Sequence, residues 1–168
     1  MSRNVTFKGN PLTLVGEEVQ VGQAAPQCEL TNGSLESVSL ADLQGKPTLI
    51  SVVPSLDTPV CHAETKKFNE QVDQLTNTEV LVVSTDLPFG QKRWCGAEGV
   101  EKVTTLSAHR STAFGESFGV LISGGPLDRC LARAIFAVDE TGTLTHVEYV
   151  GEIAEHPDYD AVLAAVGV

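Results

Sequence analysis

The sequence predicts an α/β fold, a mixed sheet flanked by helices on both faces, and three observations predict it. Residues 48–53 and 80–83 are runs of consecutive apolar, β-branched residues, the character of strands buried on both faces. Between them Cys61, Thr65, Phe68, Val72 and Leu75 step by four and three residues, which is one face of an α-helix. Strand, helix and strand over about 36 residues make a βαβ unit with parallel strands.

The other elements follow in order. Residues 3–15 alternate apolar and polar positions around Gly9-Asn10-Pro11, an N-terminal surface β-hairpin, and a polar loop runs on to Gln27. After the βαβ unit come a strand at 103–106 and a helix at 111–118. A second hairpin joins 134–138 to 144–150 through Asp139-Glu140-Thr141-Gly142, and a helix at 158–166 closes the chain. No linker or low-complexity segment interrupts, so residues 1–168 read as one domain around one core.

Composition narrows the function. With 42% hydrophobic and 20% charged residues the chain has ordinary globular usage, which argues against disorder and coiled coil. The net charge is −11, whereas nucleic acid and anionic membrane surfaces are bound by basic patches, so neither is an expected partner. The longest apolar stretches are about six residues against about 20 for a bilayer span, so no transmembrane helix is expected. The first residues lack the basic-then-apolar block of a signal peptide, which makes the cytoplasm the expected compartment.

In a reducing compartment the four cysteines, Cys28, Cys61, Cys95 and Cys130, are expected to be buried, metal-bound or catalytic rather than a structural framework. Their near-even spacing is not a repeat, because only Cys-His-Ala-Glu and Cys-Gly-Ala-Glu echo each other. No Cys-x-x-Cys pair occurs and the histidines at 109, 146 and 156 lack ligand spacing, so no metal is expected.

The most informative stretch is Pro54-Ser-Leu-Asp-Thr-Pro-Val-Cys61, which joins the end of a buried strand to the stripe helix. Thr58 is a good N-cap, Pro59 suits the first helical position, and Cys61 falls at the third, where a capping box would hold Glu or Gln. Free N–H groups and the positive end of the helix dipole favour a thiolate there. Read alone, Cys61 is also a small buried hydrophobe. His62 points about 100° away around the helix, which disfavours a Cys–His pair of the thiol-protease kind. In Arg93-Trp-Cys-Gly-Ala-Glu-Gly99 the paired glycines predict a mobile, loosely helical segment. Cys95 could meet Cys61 there, or be a core cysteine on a short helix. Trp94 reads as packing, and Glu148-Tyr149 with residues 152–155 as a solvated acidic edge.

Taken together, these residues resemble the thiol peroxidase subfamily of peroxiredoxins, of the atypical two-cysteine type. The resemblance spans the chain: Phe7-Lys-Gly-Asn-Pro11, the Pro54 to Cys61 motif, Asp86-Leu-Pro-Phe89, the Cys95 motif, Phe114-Gly-Glu-Ser-Phe-Gly119, Leu131-Ala-Arg-Ala134 and Pro157-Asp-Tyr-Asp160. It implies a thioredoxin-like fold, Cys61 as peroxidatic and Cys95 as resolving cysteine, and a pocket of Pro54, Thr58 and Arg133. It further implies reduction of hydrogen peroxide and organic hydroperoxides through a Cys61 sulfenic acid and a Cys61 to Cys95 intramolecular disulfide. Thioredoxin would be the reductant, no cofactor is implied, and the family commonly forms homodimers. Arg133 stands at a strand entrance, where a guanidinium favours a thiolate and can hold a peroxide oxygen; on its own it reads as an ordinary solvated arginine. The Thr58 hydroxyl is close enough to donate to thiolate or substrate.

Two features depart from the family. Pro59 stands where many members carry a small residue, which should stiffen the loop that exposes Cys61 and slow resolution. Cys28 and Cys130 lie outside the motifs and read as buried thiols, with a secondary redox pair as the alternative. A thioredoxin-fold oxidant sensor without turnover, and a Cys–His hydrolase, are the rival functions.

Overall fold

The computed structural model describes residues 3–75 and 77–166. Strands β1 (Val5–Phe7) and β2 (Asn10–Val15) form the N-terminal antiparallel hairpin, and β2 pairs onward with β8 (Leu121–Ser123) in a three-stranded sheet. The turn is Lys8-Gly9, both at positive φ (51° and 79°), which matches the right-handed twist of the strands. Asn10 and Pro11, expected in the turn, open β2 instead, with Pro11 opposite Thr6.

The main sheet has seven strands in the order β10-β9-β5-β6-β7-β3-β4. They are β3 (Glu29–Thr31), β4 (Ser37–Ser39), β5 (Thr48–Val52), β6 (Glu79–Ser84), β7 (Thr104–Ser107), β9 (Ala134–Val138) and β10 (Leu144–Tyr149). β5, β6 and β7 run parallel, while β9 lies antiparallel to β5 and to β10, so the sheet is mixed as expected. Helices α1 (Pro59–Gln71), α2 (Pro88–Glu98), α3 (Ala113–Ser117) and α4 (Tyr159–Ala165) flank it.

Every residue of β5 is buried, and alternate side chains enter opposite faces of the sheet. Ile50, Val52, Leu81, Val83 and Phe136 join Phe114 and Phe118 of the α3 region. Leu49, Val53, Val80, Val82 and Ile135 join Phe68 of α1, Trp94 of α2 and Val162 of α4. The sheet therefore divides the interior into two apolar clusters, where the sequence suggested one core.

Several elements depart from their sequence expectation. α2 is a regular helix of 11 residues, not a loose segment. Pro88 starts it, Gly99 at φ 66° ends it, and the buried Gln91 fixes it by donating to Ser84 Oγ (3.1 Å) and the Leu106 carbonyl (2.9 Å). α1 passes after Gln71 into a 3-10 turn at Val72–Gln74, which still buries Leu75. The acidic edge is not merely solvated. Glu152 accepts from Gly9 N–H (2.8 Å), Thr6 Oγ (3.1 Å) and Ala154 N–H (2.7 Å), clamping the N-terminal hairpin. Glu148 accepts from Asp158 N–H (3.0 Å), and Tyr149 donates to the Phe118 carbonyl (2.7 Å) while accepting from Val19 N–H (2.9 Å). Each ties down backbone groups outside the ladders. Among the described residues no helix is long and apolar enough to cross a membrane.

The parallel pairing of β5 with β6 positions the site. Val52 lies beside Val83, so both chains leave the sheet at the same edge, and each enters a proline-started helix carrying one of the motif cysteines.

Candidate active site

Thr58 is the extended N-cap of α1 (φ −81°, ψ 148°), Pro59 follows at the helix start, and Cys61 stands at the third position. The Thr58 carbonyl accepts from His62 N–H (2.9 Å), but its side chain caps nothing; the hydroxyl donates back to the Ser55 carbonyl (3.2 Å). No acidic residue occupies the first turn. The helix start thus keeps its positive character for the thiol and for whatever binds beside it.

Cys61 is 0% exposed, and Arg133, 2% exposed, donates from Nη2 to its Sγ at 3.0 Å. Burial rules out the solvated arginine that the sequence allowed. The guanidinium is fixed on two further sides, with Nε donating to the Ile153 carbonyl (2.9 Å) and Nη1 to Glu64 Oε2 (2.5 Å). Ser51 on β5 donates to the other Glu64 oxygen (3.4 Å). A continuous buried chain, Ser51–Glu64–Arg133–Cys61, therefore lies between α1 and the sheet.

Glu64 is the site residue that the sequence reading missed. A signal was present: it stands three residues after Cys61 and next to Thr65, on the helix face that the apolar stripe defines. A buried arginine needs an anion, and Glu64 is it. Burial pushes its carboxyl up from the usual 4.5 to about 7, with the Arg133 and Ser51 bonds holding it back. The folded state then keeps a proton that the unfolded chain releases between those values, so Glu64 lowers stability as pH rises from 4.5 to about 7. Glu64→Gln, which does not titrate, is expected to gain on the unaltered protein across that interval by at most about 3 kcal/mol. Urea unfolding at a series of pH values checks the sign.

Pro54, Thr58 and Arg133, expected as a pocket, do share one cleft of about 320 Å³, walled further by Phe7, Leu127 and Ile153. Cys95 is half-buried on α2 and packs against the same apolar cluster that contains Cys61, and both thiols are free. Burial pushes the Cys95 thiol up, partly offset by a hydrogen bond with Thr105. His62 turns to Glu98 (3.4 Å) and packs edge-on to Trp94 (5.2 Å between rings). The buried Trp94 packs as expected.

Cys28 and Cys130 belong to the opposite cluster. Cys28 is buried, its thiol pushed up to about 11 by desolvation. Cys130 is only half-buried, and burial with the charges of Asp86 and Asp128 pushes its thiol up against a Thr85 hydrogen bond. Among the described residues no three His, Cys, Asp or Glu side chains gather where a metal ion could sit.

A buried cysteine at a proline-started helix, held by an arginine on a thioredoxin-like sheet, is the constellation of a thiol-based redox protein, and sequence comparison specifies which. The Redoxin family model matches residues 20–163. A thiol peroxidase of Bacillus subtilis is 52% identical over 96% of this chain and 95% of its own length. One of Halalkalibacterium halodurans is 51% identical over 96% of each chain. The crystal structure of a peroxiredoxin-like protein from Aquifex aeolicus superposes with a TM-score of 0.92 at 44% identity, covering 99% of this chain and 96% of that one. The chain belongs to the thiol peroxidases of the redoxin family.

Proposed function

We propose that this peroxiredoxin-type peroxidase reduces hydrogen peroxide and organic hydroperoxides with Cys61 as nucleophile and Cys95 as resolving thiol. The contact of Arg133 with the Cys61 sulfur carries the reading, because it fixes a guanidinium donor on a cysteine at a helix start, where negative charge that develops during attack on a peroxide is met by both. The thiolate attacks one peroxide oxygen, the O–O bond breaks, and its electron pair leaves on the distal oxygen, which takes a proton to become water or an alcohol. Sulfur loses two electrons and becomes the Cys61 sulfenic acid. Arg133 and the helix N–H groups face the charge that develops on the oxygens. Thr58, whose proton is committed to Ser55, offers oxygen lone pairs to the hydroperoxide O–H. Pro54 lines the same cleft and presents no N–H of its own.

Cys95 then condenses with the sulfenic acid, forming an S–S bond and releasing water. A dithiol reductant of the thioredoxin type returns both sulfurs to thiols by exchange. Cytoplasmic location and a homodimeric state are carried over from the family. Pro59 at the helix start stiffens the segment that must move during resolution, so slow resolution is expected.

The test is peroxide consumption with thioredoxin and its reductase. Sustained turnover is expected in the unaltered protein, and Cys95→Ser should stop after about one equivalent per chain, its Cys61 left as sulfenic acid or further oxidised. A single stoichiometric oxidation of the unaltered protein, with no turnover, would instead indicate an oxidant sensor.

A further inference from the structure

The Asp86-Leu-Pro-Phe89 motif is not accounted for by the chemistry above. Asp86 lies between β6, which ends at Ser84, and α2, which starts at Pro88 and carries Cys95. Its carboxylate nevertheless reaches across to the neighbouring loop, the one that precedes Cys61. Oδ1 accepts from Ser55 Oγ (2.8 Å), and Oδ2 accepts from Leu56 N–H (2.8 Å) and from Ser84 Oγ (2.8 Å). Its own N–H donates to Ser84 Oγ (3.3 Å), and its carbonyl accepts from Ser107 Oγ (2.5 Å) on β7. Asp86 is thus anchored on the sheet and binds a backbone and a side-chain donor of the loop before Cys61.

Ser55 passes that anchorage to the helix start. Its hydroxyl oxygen accepts from Asp57 N–H (3.2 Å), and its carbonyl accepts from Thr58 N–H (3.3 Å) and Thr58 Oγ (3.2 Å). Four residues of loop are thereby referred to one carboxylate. Cys61 is fully buried and bonded to Arg133, so its sulfur must leave the guanidinium before it can bond to Cys95. The first turn of α1 cannot move away while the loop in front of it is held.

We propose that Asp86 is a positioning residue, a latch that holds the Ser55–Thr58 loop and Cys61 in the peroxide-reactive arrangement, and that its release admits the disulfide step. The proposal rests on the Cys61–Cys95 reaction above. Hydrogen bonds to a charged acceptor are strong enough for their weakening to shift such a balance about tenfold. Because the latch joins the two cysteine-bearing segments, a single carboxylate sets both how long Cys61 stays exposed to a second peroxide and how soon Cys95 reaches it.

The experiment compares the unaltered protein with Asp86→Asn, Ser55→Ala and Ser107→Ala. Stopped-flow kinetics separate peroxide attack from disulfide formation, and mass spectrometry measures Cys61 sulfinic acid at rising peroxide. Disulfide formation is expected to accelerate about tenfold in Asp86→Asn and about threefold in Ser55→Ala, with peroxide attack slowed and the sulfinic fraction reduced in proportion. Ser107→Ala removes a bond to the Asp86 carbonyl while leaving its carboxylate contacts, so it should lower stability without changing the disulfide rate. Ser55→Ala keeps the test informative if Asp86→Asn does not fold. Unchanged or slower disulfide formation in folded Ser55→Ala would overturn the latch alone. Absence of a Cys61–Cys95 disulfide in the unaltered protein would overturn the latch together with the proposed reaction.

Discussion

Cys61→Ser is expected to abolish peroxide reduction, to the uncatalysed background, while leaving the fold intact. An alcohol is not ionised near neutral pH and cannot cycle through a sulfenic acid, so neither the nucleophile nor its oxidised product survives the change. The structural effect is small for a definite reason. Serine fills nearly the volume of cysteine, and its oxygen can accept the Arg133 Nη2 hydrogen bond that the sulfur accepts. Peroxide consumption should therefore vanish with a thermal midpoint close to that of the unaltered protein, and a sulfenic-acid-trapping reagent should label nothing at position 61. Full activity in this variant would place the chemistry at Cys28, Cys95 or Cys130.

Arg133→Gln is expected to strike both activity and stability, and a second substitution separates the two. Loss of a preorganised donor aimed at developing charge typically costs a factor of about 10² to 10³ in rate. Loss of the cation also leaves Glu64 buried without its partner, an expense of about 3 to 5 kcal/mol for breaking a buried pair. With the guanidinium gone, only the Ser51 hydrogen bond still opposes burial, and the carboxyl shifts further up. The stability deficit is therefore expected to shrink as pH falls and Glu64 takes a proton. Arg133→Gln combined with Glu64→Gln removes the stranded charge and should recover most of the stability but none of the rate. Recovery of activity in that double variant would show that Arg133 acts only through folding.

How far these features could be read from the sequence depends on how local their causes are. The Thr58-Pro59-Val60-Cys61 arrangement was legible because capping and proline placement are decided within four residues, and β5 and β6 because double burial writes a continuous apolar run. Arg133 could be placed only by family resemblance, and Glu64 was missed. Their pairing spans 69 residues, and a buried carboxylate on a helix looks the same in sequence as a solvated one. β3, β4 and β8 have three residues each, too few for a period to show. The regularity of α2 was hidden by Gly96 and Gly99, since Gly99 is the left-handed cap that ends the helix and the Gln91 and Trp94 anchors that hold it act through contacts distant in sequence.

The two tetrads that echo each other acquire distinct meanings in three dimensions. In Cys61-His-Ala-Glu64 the acid turns inward to Arg133, whereas in Cys95-Gly-Ala-Glu98 it turns to His62 (3.4 Å) and Lys66 (3.7 Å) of α1. Glu98 thus ties α2 to α1 near its cysteine, and Asp86 ties the start of α2 to the loop before the other.

The most direct measurement is the identity of the disulfide that forms. After one equivalent of hydrogen peroxide, the reduced protein is digested without reduction and its peptides are weighed. A linked pair containing Cys61 and Cys95 is expected, with Cys28 and Cys130 still alkylated as free thiols. A Cys28–Cys130 link, or Cys61 recovered as a free thiol while peroxide is consumed, would contradict it.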